Sequence, residues 1–120
     1  MAKCLIVDDV MVTRFAARSF LEELGLEVVE AEDTKKALEA IKEGGLDVVL
    51  LDWHLKKESG IELLEGIRKK YGNRLKVIVF SGVESADKAE KAKDAGANGF
   101  ISKPTTKEKL EVELKSIGML

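Results

Sequence analysis

Five short, largely apolar runs separated by helix-patterned sequence constrain this chain more than any other feature. The runs are Lys3 to Val7, Leu26 to Ala31, Leu46 to Leu51, Leu75 to Phe80 and Gly99 to Ser102. The first, third and fourth are almost continuously apolar, as strands buried on both faces must be. The second carries Glu27 and Glu30 and reads as an edge strand. Between the runs, apolar residues recur at helical spacing. One helix carries Phe15, Ala16, Phe20 and Leu24 before Gly25, and the next carries Ala37, Leu38 and Ile41 behind a cap at Asp33 or Thr34. A third opens at Ser59 or Gly60 with Ile61, Leu64, Ile67 and Tyr71 on one face, and a last one follows Pro104 with Leu110, Leu114 and Ile117. The stretch from Glu84 to Ala95 offers only Ala86, Ala89, Ala92 and Ala95 as an inner face. It can bury little area and is expected to be weakly anchored. Five βα units in 120 residues imply a single α/β domain over 1–120, with a doubly wound parallel sheet, helices on both faces and right-handed crossovers.

Composition narrows the function. The net charge of −2 is too small to draw the chain to nucleic acid or anionic lipid by long-range attraction. The single cysteine, Cys4, forbids an intrachain disulfide and sits in an apolar run, where a thiol is buried and inert. An acidic pair arrives too soon for a signal-peptide core, and no apolar stretch reaches membrane-spanning length. The expectation is a soluble, cytoplasmic monomer without nucleic-acid or membrane partners.

The residues that close the runs carry the chemistry. Asp8-Asp9 follow the first, Asp52 the third, Ser81 the fourth, and Lys103-Pro104 the fifth. In an open parallel sheet these positions lie along the carboxyl edge, where ligands bind. Three carboxylates, a hydroxyl and an ammonium in one crevice suit a divalent cation and a phosphoryl group. Carboxylates this close repel, so without a cation at least one pKa must rise. Mg²⁺ relieves this, taking a few carboxylates and keeping several waters. A solitary strand-end aspartate is more often a helix cap, and one of the acidic pair could still serve that way. For Asp52 the companions favour a nucleophile that becomes an acyl phosphate. Lys103 brings a compact positive charge, and its bond to Pro104 is of the kind that can be cis. Ser81 can donate a hydroxyl to a phosphoryl oxygen.

The paired acids, Asp52-Trp53, Gly60, Ser81, the segment Ala95-Gly96-Ala97-Asn98-Gly99 and Lys103-Pro104 together resemble the receiver domain of two-component response regulators. The likeness is greatest to the single-domain, chemotaxis-regulator-like type. The resemblance spans the chain and supports a flavodoxin-like (βα)5 fold with strand order 2-1-3-4-5, its switch point flanked by Asp8-Asp9 and Asp52. It implies phosphorylation at Asp52, with Lys103 and Ser81 assisting and Ser81 and Phe100 acting as switch residues. It implies Mg²⁺ held directly by Asp9, Asp52 and the backbone carbonyl of His54, with Asp8 acting through water. The donor would be a histidine kinase or histidine phosphotransfer protein, and no output domain would be appended. A downstream protein would be met by the helix from Glu84 to Ala95, the fifth strand and the final helix. Lys56 stands where the family often has proline, and Ser59 where it often has aspartate, so the loop after Asp52 is the segment the resemblance leaves open. His54 and Val83, two residues past Asp52 and Ser81, border the family's water path. Because Val83 offers no hydrogen bond, a long-lived phosphoryl group is expected. Trp53 is expected to cover apolar surface, and charge runs such as Lys56-Lys57-Glu58 and Lys88 to Asp94 to be solvated.

The alternative is a small Mg²⁺-dependent phosphatase with an aspartyl-phosphate intermediate. Such enzymes usually carry an aspartate two residues past the nucleophile, where this chain has His54. A flavodoxin-like FMN carrier would need a phosphate loop after the first strand, where Asp8-Asp9 would repel phosphate.

Overall fold

The computed structural model describes residues 1–82 and 86–120, Ala86 by its backbone alone. Its elements are β1 (Lys3–Val7), α1 (Met11–Glu23), β2 (Glu27–Ala31), α2 (Thr34–Glu43), β3 (Val48–Asp52), β4 (His54–Leu55), β5 (Glu58–Ser59), α3 (Gly60–Tyr71), β6 (Lys76–Ser81), α4 (Ala86–Asp94), β7 (Gly99–Ser102) and α5 (Lys107–Ser116). Five strands form one parallel sheet in the order β2-β1-β3-β6-β7. In sheet strands alone this is 2-1-3-4-5, the order that the family resemblance implies.

Strand alternation divides the core in two. Leu5, Val7, Val49, Leu51, Val77 and Val79 face Ala37 and Ile41 of α2, Leu64 and Ile67 of α3, and Ala92 of α4. Cys4, Ile6, Val48, Leu50, Ile78 and Phe80 face Ala17 and Leu21 of α1 and Leu110 and Leu114 of α5. Successive side chains leave a strand on opposite faces, so an unbroken apolar run serves both layers. Burial pushes the Cys4 thiol up to about 12, which leaves it protonated and inert.

The inner face of α1 differs from the expected one. Ala17 and Leu21 are its buried residues and Phe20 and Leu24 are partly buried, but Phe15 is 56% exposed and Ala16 is exposed as well. At roughly 100° per residue Phe15 lies about 200° from Ala17, on the far side of the helix. Leu38 of α2 is likewise exposed beside the buried Ala37. In α4, Ala92 is buried while Ala89 is only partly so, as is Ala95 just past its end. Val83, Glu84 and Ser85 lie outside the described residues, as does the side chain of Ala86.

Polar side chains fasten the outer elements. Glu30 of the edge strand β2 accepts from Arg14 Nε (3.0 Å) and Arg18 Nη1 (2.8 Å) of α1. Its burial alone would raise the pKa, but the bonds from Arg18 and Arg14 hold the carboxyl below its usual range. Arg68 of α3 donates to the carbonyls of Gly72 (2.8 Å), Leu75 (2.6 Å) and Gly96 (2.8 Å) and to Asn98 Oδ1 (2.7 Å). Asn98 Oδ1 also accepts from the Val77 amide, and the Asn98 amide donates to the Val77 carbonyl. At the other sheet edge, Glu113 Oε1 accepts the Phe100 amide (3.1 Å), and Lys109 Nζ donates to the Ser102 carbonyl (3.0 Å).

Candidate phosphoacceptor site

The crevice forms where β1 and β3 end side by side, at the point where the strand order reverses. Asp8 follows β1, and its amide donates to the Ala31 carbonyl of β2 (3.1 Å). Arg14 Nη1 holds the Asp8 carbonyl (2.7 Å). Asp52 is the last residue of β3 and is 3% exposed. Ser81 ends β6 and is fully buried. Its carbonyl accepts the Lys103 amide (2.7 Å), so the backbone of β6 carries the lysine into place. The Lys103–Pro104 peptide is cis.

One oxygen from each of Asp8, Asp9 and Asp52 lies within 4.8 Å of the other two. Asp52 Oδ1 accepts the His54 amide (3.1 Å), and Oδ2 accepts from Lys103 Nζ (3.1 Å). Asp8 Oδ1 accepts the Val10 amide (2.8 Å), which closes the turn before α1; Val10 is the N-cap, and the helix start has no side-chain cap bond. Asp8 Oδ2 is buried and meets no hydrogen-bond donor among the described residues, with Lys103 Nζ 3.6 Å away. Lys103 Nζ also sits 4.8 Å from the centre of the Phe80 ring.

A buried carboxylate oxygen grouped with two more carboxylates is a donor set for a hard cation, and these residues fit Mg²⁺. Burial, and then the charges of Asp52 and Asp9, push the Asp8 carboxyl from 3.8 to about 6 against the opposing Val10 bond and Lys103 charge. Between these values folded Asp8 keeps a proton that the unfolded chain has released. Raising the pH therefore favours unfolding. In metal-free buffer we expect Asp8→Asn to be more stable than the wild type by about 2–3 kcal/mol at pH 7 and by only about 0.5 kcal/mol near pH 4. Urea denaturation of both proteins at the two pH values checks this. An equal gap at both would show that burial of ionised Asp8 carries no penalty.

The loop after Asp52 is a small hairpin. β4 and β5 pair His54 with Ser59 and Leu55 with Glu58, and the Gly60 amide closes on the Trp53 carbonyl (2.9 Å). Glu58 is not simply solvated, since its Oε1 accepts the Thr34 amide at the head of α2 (3.1 Å). Trp53 packs against the core cluster beneath it. His54 is exposed, with Nε2 2.7 Å from Lys88 Nζ of α4. Lys88 also stands 4.7 Å from the centre of the Trp53 ring, so it too departs from the expected solvated charge run. Phe100 lies away from the carboxylates, on β7, half-buried between a groove against α5 and another against α4. Val83, the expected neighbour of the water path, is outside the described residues. Sequence reading passed over Arg14, although Arg14 and Arg18, four apart on α1 and opposite the acidic Glu30, were a signal for it.

Residues 4–115 match the response regulator receiver domain family. The chain is 35% identical over 117 residues to chemotaxis protein CheY-3 of Vibrio cholerae serotype O1, covering 96% of this chain and 90% of that protein. It is 33% identical over 119 residues to chemotaxis protein CheY of Pseudomonas aeruginosa, covering 96% and 94%. Among solved structures, chemotaxis protein CheY4 of Vibrio cholerae superposes with a TM-score of 0.87 at 29% identity over 96% of this chain and 97% of that one. A CheY-like receiver domain protein of Methanospirillum hungatei gives 0.87 at 29% identity over 98% and 93%.

Proposed function

The chain belongs to the response regulator receiver domain family, and from that membership we propose that it is a phosphorylation switch with Asp52 as phosphoacceptor. A nearly buried carboxylate, bonded to Lys103 at 3.1 Å and clustered with Asp8 and Asp9, carries the proposal. An Asp52 carboxylate oxygen attacks the phosphorus of a phosphohistidine on a kinase or phosphotransfer protein. The new P–O bond forms as the P–N bond breaks, and its electron pair leaves with the imidazole. Lys103 offsets charge on the phosphoryl oxygens, and Ser81 donates its hydroxyl to one of them. Mg²⁺ bound by Asp9, Asp52 and the His54 carbonyl, with Asp8 through water, would supply further neutralisation of that charge. Exposed Val10, Met11, Val12 and Phe15 lie beside the acidic pair and offer a protein donor an apolar landing.

The output face in this proposal is α4, β7 and α5. Ser81 leads towards α4, Phe100 lies on β7, and Lys103 precedes α5. Among the described residues no helix is long and apolar enough to cross a membrane, and we place the switch in the cytoplasm.

Acetyl phosphate with Mg²⁺ is expected to label Asp52 alone, read by trapping the acyl phosphate and mapping it by mass spectrometry. Asp52→Asn or excess chelator should reduce the label to background. Labelling that survives either would refute the assignment.

A further inference from the structure

Lys88 links helix α4 to the loop beside the crevice. Ala92 is the helix's only fully buried residue among those described, so apolar burial contributes little to its anchorage. Lys88 reaches from α4 to the loop after Asp52, with Nζ 2.7 Å from His54 Nε2 and 4.7 Å from the centre of the Trp53 ring. An ammonium only donates, so His54 Nε2 is the acceptor and the neutral ring carries its proton on Nδ1. The same ammonium is attracted to the face of the indole. The His54 amide in turn donates to Asp52 Oδ1. A continuous path therefore runs from the Asp52 carboxylate through the His54 backbone and ring to Lys88 and α4.

We propose that Lys88 is a strap that holds α4 in its present arrangement by gripping Trp53 and His54, and that occupation of the Asp52 crevice must loosen this grip before α4 can move. A substitution that removes the strap lowers the free energy of the alternative arrangement relative to this one. Whatever binds the alternative better then binds more tightly, by the factor the strap had withheld. The coupling to Asp52 rests on the phosphoacceptor reading above. The grip itself does not.

Lys88→Met keeps the apolar stem and removes the charge, whereas Lys88→Arg keeps both donor and cation. Beryllofluoride with Mg²⁺, titrated by NMR, is the probe of the crevice. Lys88→Met is expected to bind it about 3–10-fold more tightly than the wild type, with Lys88→Arg within about twofold of the wild type. In a His54→Gln, Trp53→Leu background the effect of Lys88→Met should vanish. Without any phosphoryl mimic, Lys88→Met should speed amide hydrogen exchange in α4 by a similar factor and leave α1 unchanged. Unchanged or weaker beryllofluoride binding in Lys88→Met, or a gain that persists in the double-variant background, would overturn the strap. If the wild type binds no beryllofluoride, the phosphoacceptor reading fails. Exchange in α4 then decides the grip, and protection unaltered by Lys88→Met would dispose of it.

Discussion

Replacing Gly60 with alanine is expected to destabilise the domain by about 3 kcal/mol and to slow labelling of Asp52 by tenfold or more. Gly60 opens α3 against the end of β3. A Cβ there would overlap the Asp52 carbonyl oxygen, with the Asp52 carbonyl carbon at 2.9 Å and Trp53 Cα at 3.1 Å. All three obstacles are backbone, so no rotamer change relieves the overlap. Either α3 withdraws from its seat under Leu64 and Ile67, or the residue carrying the proposed nucleophile is displaced. Overpacking ordinarily costs about 1–3 kcal/mol, and a rigid obstacle belongs at the upper end. Small displacements of a reacting group lose rate steeply. Urea denaturation and acetyl phosphate labelling measure the two effects separately. Wild-type stability in Gly60→Ala would mean that α3 sits on β3 more loosely than described.

Arg68→Ala is expected to be comparably destabilising, by about 3 kcal/mol, while leaving the crevice chemistry intact in the folded fraction. The guanidinium joins the end of α3, the turn before β6 and the Gly96–Asn98 segment before β7. Burial lowers its pKa, but it stays charged at any ordinary pH. Bonds from a charged donor contribute about 1.5–3 kcal/mol each. The freed carbonyls can turn to water, which keeps the total well below the sum. Arg68→Lys should recover only part of the loss, because an ammonium cannot span the fork of acceptors. Denaturation midpoints of the three proteins give the comparison, and full recovery in Arg68→Lys would show that charge alone matters there.

The sequence disclosed the sheet and the crevice for one reason. Strands buried on both faces must be apolar throughout, so their polar terminators stand out, and the topology gathers those terminators at one edge. Asp8, Asp9, Asp52 and Lys103 were legible in this way, and Ser81 with them. Helix faces were less so. Phe15 counts as core by hydrophobicity, but the contact surface of α1 is set by the small Ala17 that allows close approach and by Leu21 a turn later. Residues whose partners are backbone carbonyls leave no pattern to read, and Arg68 is the strongest instance. Lys88 looked like one more solvated lysine because two groups it meets, Trp53 and His54, lie 34 or more positions away. The β4–β5 hairpin is too short for a two-residue period to show.

The way β7 is finished limits how any second chain could pair with this edge of the sheet. Alternate residues of an edge strand turn their backbone groups outward, and here the Phe100 amide and Ser102 carbonyl are already taken by Glu113 and Lys109 of α5. An incoming strand would have to strip away two charged side chains before it could extend the sheet. A partner meeting this edge is thereby left with side-chain surfaces, among them the half-buried ring of Phe100. An interface of that kind forms and dissolves without unzipping a hydrogen-bond ladder.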